Sequence, residues 1–430
     1  MLLCGDMFQF PPVMPPTPLY TSVVKLLGKQ PDSNRKKAQA TTREINSAEE
    51  NGVRLFLQFQ KVELQQQMRA AGDPQHMRVV NEMRKENPNM VWVCQQLEKE
   101  YHQLNSDLLK QDHEFFYCPI ACTGNRERAV INDSVSKAFA GKHGLPRIIW
   151  NQPLVGHEIV GLKQSTIDSI YLHYPEFTSY FVVGAPAMLN NNICCKRHLA
   201  NGTPVTFHSL IINNKEGEHV VDQIAHAAPG EDIYLQRPPL YVNVSVDDAN
   251  FEDYIDLTLV NEEAVIPVGP NHAASRATVY VPEYSRGIKV ESVGHGVDLR
   301  FGITMHKVQG KTVKRVCAEL NEHPFPPKVN YHGVFVTISR VETSQHLALL
   351  PFPSGQTDLH HLRDLKPPKN LILWLKSYDI NGWFDRDLLL VAMNKKITKG
   401  KRLKEKQSVD SSPPKKKKID FENMLQPTSL

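Results

Sequence analysis

The chain has 430 residues, 41% of them hydrophobic and 22% charged, with a formal net charge of +4; that is the make-up of a globular protein long enough for two or three domains. It contains no run of 18 apolar residues, so no membrane-spanning helix is expected, and its first residues lack the basic-then-apolar pattern of a secretory signal. The charge is uneven: residues 395–418 hold eleven Lys/Arg against Glu405 and Asp410, a local +9 that leaves −5 for the remainder, so bulk basicity gives no reason to assign nucleic-acid binding to the body.

The opening stretch "LLCGDMFQFPPV" reads as a short apolar strand, an acidic turn and a double proline, and five prolines between positions 11 and 18 force an extended path. "SNRKKAQATTREINSAEENGVRLF" is polar and then helix-compatible. In the next stretch "FQKVELQQQMR" has strand character, whereas Met77, Val80 and Met83 recur with helical spacing after Pro74. "MVWVCQQLEKEYHQL" predicts another helix. Residues 115–122 predict a strand that passes through a Thr-Gly-Asn turn into a helix ending at Gly141, the unit of an α/β domain with a parallel sheet. From about 180 to 292, short β-like runs between Asn-Gly, Glu-Gly and proline turns predict a small all-β module. "GITMHKVQGKTVKRVCAEL" and "YHGVFVTISRVETSQHLALL" return to strand and helix. The expected organisation is an α/β domain (31–180 and 293–352) interrupted by a β-rich insertion (181–292). Residues 1–30 stand before it, an extension (353–394) follows, and a disordered basic tail (395–430) ends the chain. Seven cysteines, an odd number, suit a reducing compartment better than a disulfide framework.

Taken together, "GDMFQFPP", "LQQQMR", "CTGNRERAVIN", "GAPAMLNNNI…LANGT" and "ITMHKVQGKTV" with "VFVTISRV" resemble the motifs of superfamily 1 helicases. Within that superfamily they resemble the Pif/RecD group, DNA helicases that move 5′ to 3′. The resemblance runs from Leu2 to Leu350 and keeps the order and spacing of the motifs. It implies a second RecA-like domain of the P-loop NTPase type with an inserted small β-barrel, plus a remnant of a first RecA-like domain.

It also implies roles residue by residue. Gly5 and Asp6 lie at the nucleotide, and Gln9 senses its γ-phosphate. Arg69 and Arg340, each read as following a strand, reach a closed cleft as arginine fingers, because hydrolysis needs charge stabilisation around the γ-phosphate. Gln309 and Gly310 lie between nucleotide and DNA strand. Thr123, Asn125, His306 and Lys307 meet the phosphates of single-stranded DNA. Taken alone, Arg340 reads as a surface ion pair, Gln9 as a turn residue and His306 as a packed or solvated histidine.

"GKT" at 310–312 imitates the end of a phosphate-binding loop, but that loop requires glycine at position 305, where Met305 stands. The sequence thus contains no phosphate-cradling loop. The resemblance implies ATP and Mg²⁺ for the intact helicase, with neither held by a complete site here. The expectation is a C-terminal helicase portion, inactive by itself, whose first RecA-like domain is supplied upstream or in trans; the rival is a non-enzymatic DNA- or partner-binding protein of helicase descent. Cys118 with Cys122, and Cys194 with Cys195, lack a second pair at zinc spacing, so no metal is assigned; His360 and His361 are read as solvated residues. "SSPPKKKKIDF" resembles a nuclear localisation signal, implying a nuclear protein whose import receptor engages Lys415, Lys416, Lys417 and Lys418.

Overall fold

The computed structural model describes residues 5–11, 17–27, 47–64, 67–216, 218–246, 265–270, 275–281, 287–323 and 326–393. The opening strand expected over residues 2–4 and the basic tail with its lysine run lie outside the described residues. Four helices, α1 (Leu19–Leu27), α2 (Ser47–Phe56), α3 (Pro74–Met83) and α4 (Met90–Glu100), precede β1 (His102–Gln103) and α5 (Ser106–Gln111). α3 buries His76, Val79, Val80 and Met83, and α4 buries Met90, Val93, Cys94 and Leu97, one stripe each at helical spacing. Asp73 starts α3 by accepting from the N–H groups of Gln75 and His76, with Pro74 in the first turn where no N–H is needed; Asn89 caps α4 through Trp92 N–H.

Next come β2 (Ile120–Cys122), α6 (Asn125–His143), β3 (Arg147–Asn151), β4 (Leu154–Val155), α7 (Gln164–His173), β5 (Thr178–Phe181), β6 (Pro186–Leu189) and β7 (Pro204–Ile211). They are followed by α8 (Glu218–His226), β8 (Asp232–Leu235), β9 (Tyr241–Ser245), β10 (Val265–Val268), β11 (Ser275–Val279), β12 (Ile288–Ser292) and β13 (Val297–Leu299). The described chain ends through β14 (Gly302–Thr304), α9 (Met305–Val308), β15 (Val316–Ala318), α10 (Tyr331–Ile338), β16 (Leu347–Leu349), α11 (Lys369–Leu375) and α12 (Arg386–Ala392).

The central sheet runs β1-β16-β15-β2-β14, and every neighbouring pair is parallel. Its residues alternate between two cores. Ala121, Val316, Ala318, Leu347 and Leu349 join the core built with the stripes of α3, α4 and α10. Ile120, Cys317 and Ala348 face a smaller core with Leu108 and Phe115, against which Ile131 and Val135 of α6 pack. A parallel sheet covered on both faces is the mixed α/β arrangement expected. The larger core also takes in Phe8, Tyr20 and Val23 from the opening segment and Leu371 and Leu389 from α11 and α12.

Among the described residues the β-rich region builds a five-stranded antiparallel sheet, β10-β9-β7-β6-β13, and two three-stranded sheets, β11-β12-β4 and β5-β3-β8. Where a small barrel was expected, the described pairings run in open order. β3 and β4, which precede position 181, already pair with β5, β8 and β12.

Local structure departs from expectation at four places. The strand expected in "VFVTIS" before Arg340 is the helix α10. All eight of its residues are buried, and a run that is apolar all round carries no period to tell strand from helix; Asn330 decides it by accepting from Gly333 N–H. Ahead of Arg69, residues 61–64 and 67–68 form no strand; Lys61 N–H makes a single bond to Gly382 O, 2.7 Å, instead of a ladder. The strand expected over 115–122 is shortened to Ile120–Cys122 by the 3₁₀ turn His113–Phe115. α6 continues past Gly141 to His143 and stops at Gly144, whose φ of 69° is left-handed.

Candidate functional site

Asp6 organises the opening turn. Its carboxylate accepts from Phe8 N–H at 3.1 Å and from Gln9 Nε2 at 3.4 Å, and its carbonyl accepts from Gln9 N–H at 3.2 Å. Phe8 anchors the turn: its ring lies 6.0 Å from Phe335 of α10, and its carbonyl accepts from His332 Nδ1 at 2.8 Å. Gly5, Asp6 and Gln9 therefore sit on a turn pinned to the sheet domain.

One arginine pairs with it, and two more lie close to one another nearby. Arg84, one residue past α3, pairs with Asp6 at 2.5 Å and lies over the rings of Phe8 and Phe335. Arg340 is only 3% exposed. Its Nε donates to Val336 O at 3.1 Å and its Nη2 to Ser339 Oγ at 2.8 Å, and among the described residues no carboxylate is in ion-pair contact with it. Burial, and after it the nearby Arg69 charge, holds the Arg340 guanidinium down at about 10, with Asp6 opposing and Arg84 adding to the fall. Arg69 spans the gap to the last turn, donating to Thr312 Oγ1 at 3.1 Å and to Ser339 O at 2.8 Å. Arg69 and Arg340 thus meet at Ser339, close enough for Arg69 to depress the Arg340 guanidinium, and Asp6, the acid that offsets it, is itself paired with Arg84. A buried cation without its own counter-ion is costly, and the arrangement suits an incoming anion with several oxygens.

Gln309 and Gly310 close one side. Gln309 Nε2 reaches Phe10 O at 3.5 Å, and Gly310 takes a φ of 79° that a side chain would resist, turning the chain so that Thr312 meets Arg69.

The other predicted residues follow the C-terminal ends of two neighbouring parallel strands. β2 and β14 are paired with Thr304 opposite Cys122, so Thr123 and Asn125 leave one strand beside His306 and Lys307 leaving the other. Ligands gather at such strand ends in open parallel sheets. Asn125 and Lys307 line a cavity of about 320 Å³ together with Arg128, Glu176, Asn190 and Asp298. Lys307 Nζ donates to the side-chain oxygens of Asn190 and Asn201. Burial, then Arg128 and Lys311, pushes its pKa below the usual lysine value. Thr123 Oγ1 is buried with no hydrogen-bond partner.

His306 points elsewhere: its ring stacks on Phe10 at 3.7 Å and 23°, and burial followed by His332 lowers its pKa. The α6 N-terminus is crowded by an acid, since a Cβ on Gly124 would lie 2.2 Å from Glu127 Oε2.

Sequence reasoning missed Arg84, Thr312, Ser339 and Arg128. Arg84 alone left a signal, standing one residue beyond the buried stripe of α3. Cys94, Cys118 and Cys122 are buried and their thiols are pushed up to about 12 by that burial, which keeps them protonated and unreactive.

By fold, the chain is a mixed α/β protein built on a parallel sheet, with a cation-rich cluster and a polar cavity at its strand ends. No helix among the described residues is long and apolar enough to cross a membrane. The sequence matches no protein-family model and no curated protein. Solved structures similar to it include Pif1 helicases. Bacteroides Pif1 in complex with ADP-AlF3 and ssDNA is 15% identical with a TM-score of 0.44, the match covering 89% of this chain and 68% of that one. Bacteroides Pif1 bound to ssDNA is 14% identical with a TM-score of 0.42 over 76% of this chain and 58% of that one. Candida albicans Pif1 is 13% identical with a TM-score of 0.40 over 72% and 59%. The chain spans less than two thirds of the last two proteins.

Proposed function

We propose that this chain is the nucleic-acid and arginine-finger portion of an ATP-dependent 5′ to 3′ DNA helicase. The observation that carries this reading is the meeting of Arg69 and the buried, carboxylate-free Arg340 at Ser339, near the Asp6–Gln9 turn that Arg84 holds through Asp6. In this reading the terminal phosphate of ATP is held by Arg340 and Arg69, with the Gln9 amide beside it. ATP supplies a phosphoryl group whose transferred charge the guanidinium groups stabilise. Arg84 orients the turn through Asp6 and adds to the positive field. The residues fit the γ-phosphate end of the nucleotide. They do not fit Mg²⁺, because the cluster's carboxylate is engaged with Arg84; a phosphate loop and metal-binding acids would come from a first RecA-like domain, in the same polypeptide or in another.

Single-stranded DNA would run across the ends of β2 and β14, with Asn125, Thr123 and Lys307 toward its phosphates and His306 positioned by Phe10. Lysine charge in a polar groove gives sequence-tolerant, salt-sensitive binding. The protein is proposed to act in the nucleus, with Lys415 to Lys418 engaging the import receptor.

Equilibrium dialysis of the full chain against ATP, with ADP as control, tests the assignment of the cluster. ATP should bind at least several-fold more tightly than ADP, and Arg340→Ala should abolish that preference. Equal binding of the two nucleotides to the parent chain would reject a γ-phosphate role.

A further inference from the structure

Away from the arginine cluster, two loops distant in sequence bring Glu322, His360 and His361 together, each offering a donor atom within 4.8 Å of the others. The loops are stitched by bonds that do not use those atoms. Glu322 N–H donates to Gln356 Oε1 at 3.0 Å, and Asn321 Nδ2 donates to Pro351 O at 3.3 Å.

The protons on both imidazoles are fixed by their other partners. His361 Nε2 lies 3.0 Å from Leu320 O, which can only accept, so Nε2 carries the proton and Nδ1 keeps its lone pair; Nδ1 is buried without any hydrogen-bond partner. His360 Nδ1 lies 2.9 Å from Asp358 Oδ1, again an acceptor, which leaves the Nε2 lone pair facing Glu322 Oε2 at 3.6 Å. The His360 Nε2 lone pair and the Glu322 carboxylate face one another and repel unless a cation lies between them, and His361, with its buried Nδ1 unpartnered, offers a donor atom within 4.8 Å of both. Outer partners that fix the tautomer of a ligating histidine, a carbonyl for one and a carboxylate for the other, are what metal sites use.

We propose that Glu322, His360 and His361 form a site for a divalent transition metal of the Zn²⁺ class, which ties the loop after β15 to the loop before α11. Two imidazoles and one carboxylate suit Zn²⁺, leaving a fourth position for water. Ligand bonds of about 2.0–2.1 Å in a tetrahedron need donors roughly 3.3 Å apart, so His360 Nε2 and Glu322 Oε2 are already close to the required spacing. Sequence alone hid the site because the carboxylate comes from a different loop. The rival occupant is a proton on His360, which would bridge Asp358 and Glu322 without metal.

Zn²⁺ titration by isothermal calorimetry on the full chain decides between them, with Glu322→Gln, His360→Gln and the double variant Cys194→Ser/Cys195→Ser. The side chains of His360 and Glu322 are 57% and 47% exposed, so their replacements should fold, as far-UV circular dichroism would verify. One equivalent of Zn²⁺ should bind to the parent and to the cysteine variant, and at least tenfold more weakly to Glu322→Gln and His360→Gln. Co²⁺ at the site should give visible d–d bands with no sulfur-to-metal charge transfer. Binding unchanged in both ligand variants, lost only in the cysteine variant, or absent from the parent would overturn the proposal.

Discussion

Arg340→Met asks whether the buried guanidinium is kept for an incoming anion or for the fold. Burial and Arg69 hold the group at about 10, well below the usual arginine value. At about 1.4 kcal/mol for each tenfold change, roughly 3 kcal/mol stands against the charged form in the folded chain. Against this, the substitution removes the bonds to Val336 O at 3.1 Å and Ser339 Oγ at 2.8 Å, each worth about 1.5 kcal/mol for a charged donor. Ser339 Oγ is not stranded, since it keeps its own bond to Val336 O at 3.2 Å. Methionine refills the space with an unbranched, adaptable side chain. The two sides cancel to within ~1 kcal/mol, whereas breaking a buried arginine–carboxylate pair costs about 3–5 kcal/mol. Urea unfolding of the full chain, followed by tryptophan fluorescence and far-UV circular dichroism, should give nearly the parental stability for Arg340→Met. Saturating ATP should protect the parent by ~3 kcal/mol at a hundredfold excess over its Kd and leave the variant unprotected. A loss of 3 kcal/mol or more without nucleotide would show that Arg340 is a structural cation and refute the reasoning.

Lys307→Ala should weaken single-stranded DNA binding about tenfold at low salt and flatten its salt dependence, while Glu127→Gln, which removes an acid beside Gly124, should tighten binding a few-fold; fluorescence anisotropy across a salt series checks both. His76, His295, His306 and His332 are all held below the usual 6.5 by burial. Between those lowered values and 6.5 the unfolded chain binds more protons, so stability should fall as pH drops through that window, and a melting temperature that stays level down to about pH 5 would contradict this. Leu97, fully buried in the larger core, should cost about 2–5 kcal/mol as Leu97→Ala, read as a lowered urea midpoint.

What could be read in advance was what repeats locally. The helical spacing after Pro74 that marks α3 and the helix read for α4 are short-range patterns, and the strand-turn-helix from Ile120 into α6 carries its own punctuation. α10 was misread because burial on every side erases periodicity, and only the Asn330 cap distinguishes it. β3 and β4 were not assigned to the β-rich sheets because their pairing partners, β5 and β8 for one and β12 for the other, lie far along the chain and leave no local trace. The site divides in the same way. Gln9, Arg69 and Arg340 could be named from their motifs, but Arg84 enters through its ion pair with Asp6, and His332 through its bond to Phe8 O; both are contacts between segments far apart in the chain.

The short helix α9 shows why the two halves of the candidate site need to be considered together. Met305 and Val308 are its buried anchors, and the two residues between them diverge. His306 stacks on Phe10 of the turn that carries Gln9, whereas Lys307 enters the cavity lined by Asn125. Just beyond, Gln309 returns to Phe10 O and Thr312 meets Arg69. α9 and the turn after it, with left-handed Gly310, therefore run from the strand-end cavity to Arg69. A displacement of the opening turn that keeps the Phe10–His306 stack has to carry α9, and with it Lys307, whereas one that breaks the stack frees the turn from α9. The reverse also holds: a phosphate drawing Lys307 away from Asn190 and Asn201 pulls on the stack that seats the Gln9 turn. On the proposed reading, reciprocity of this kind is what coupling between the two binding sites requires, and the contact between Phe10 and His306 is where they would be joined.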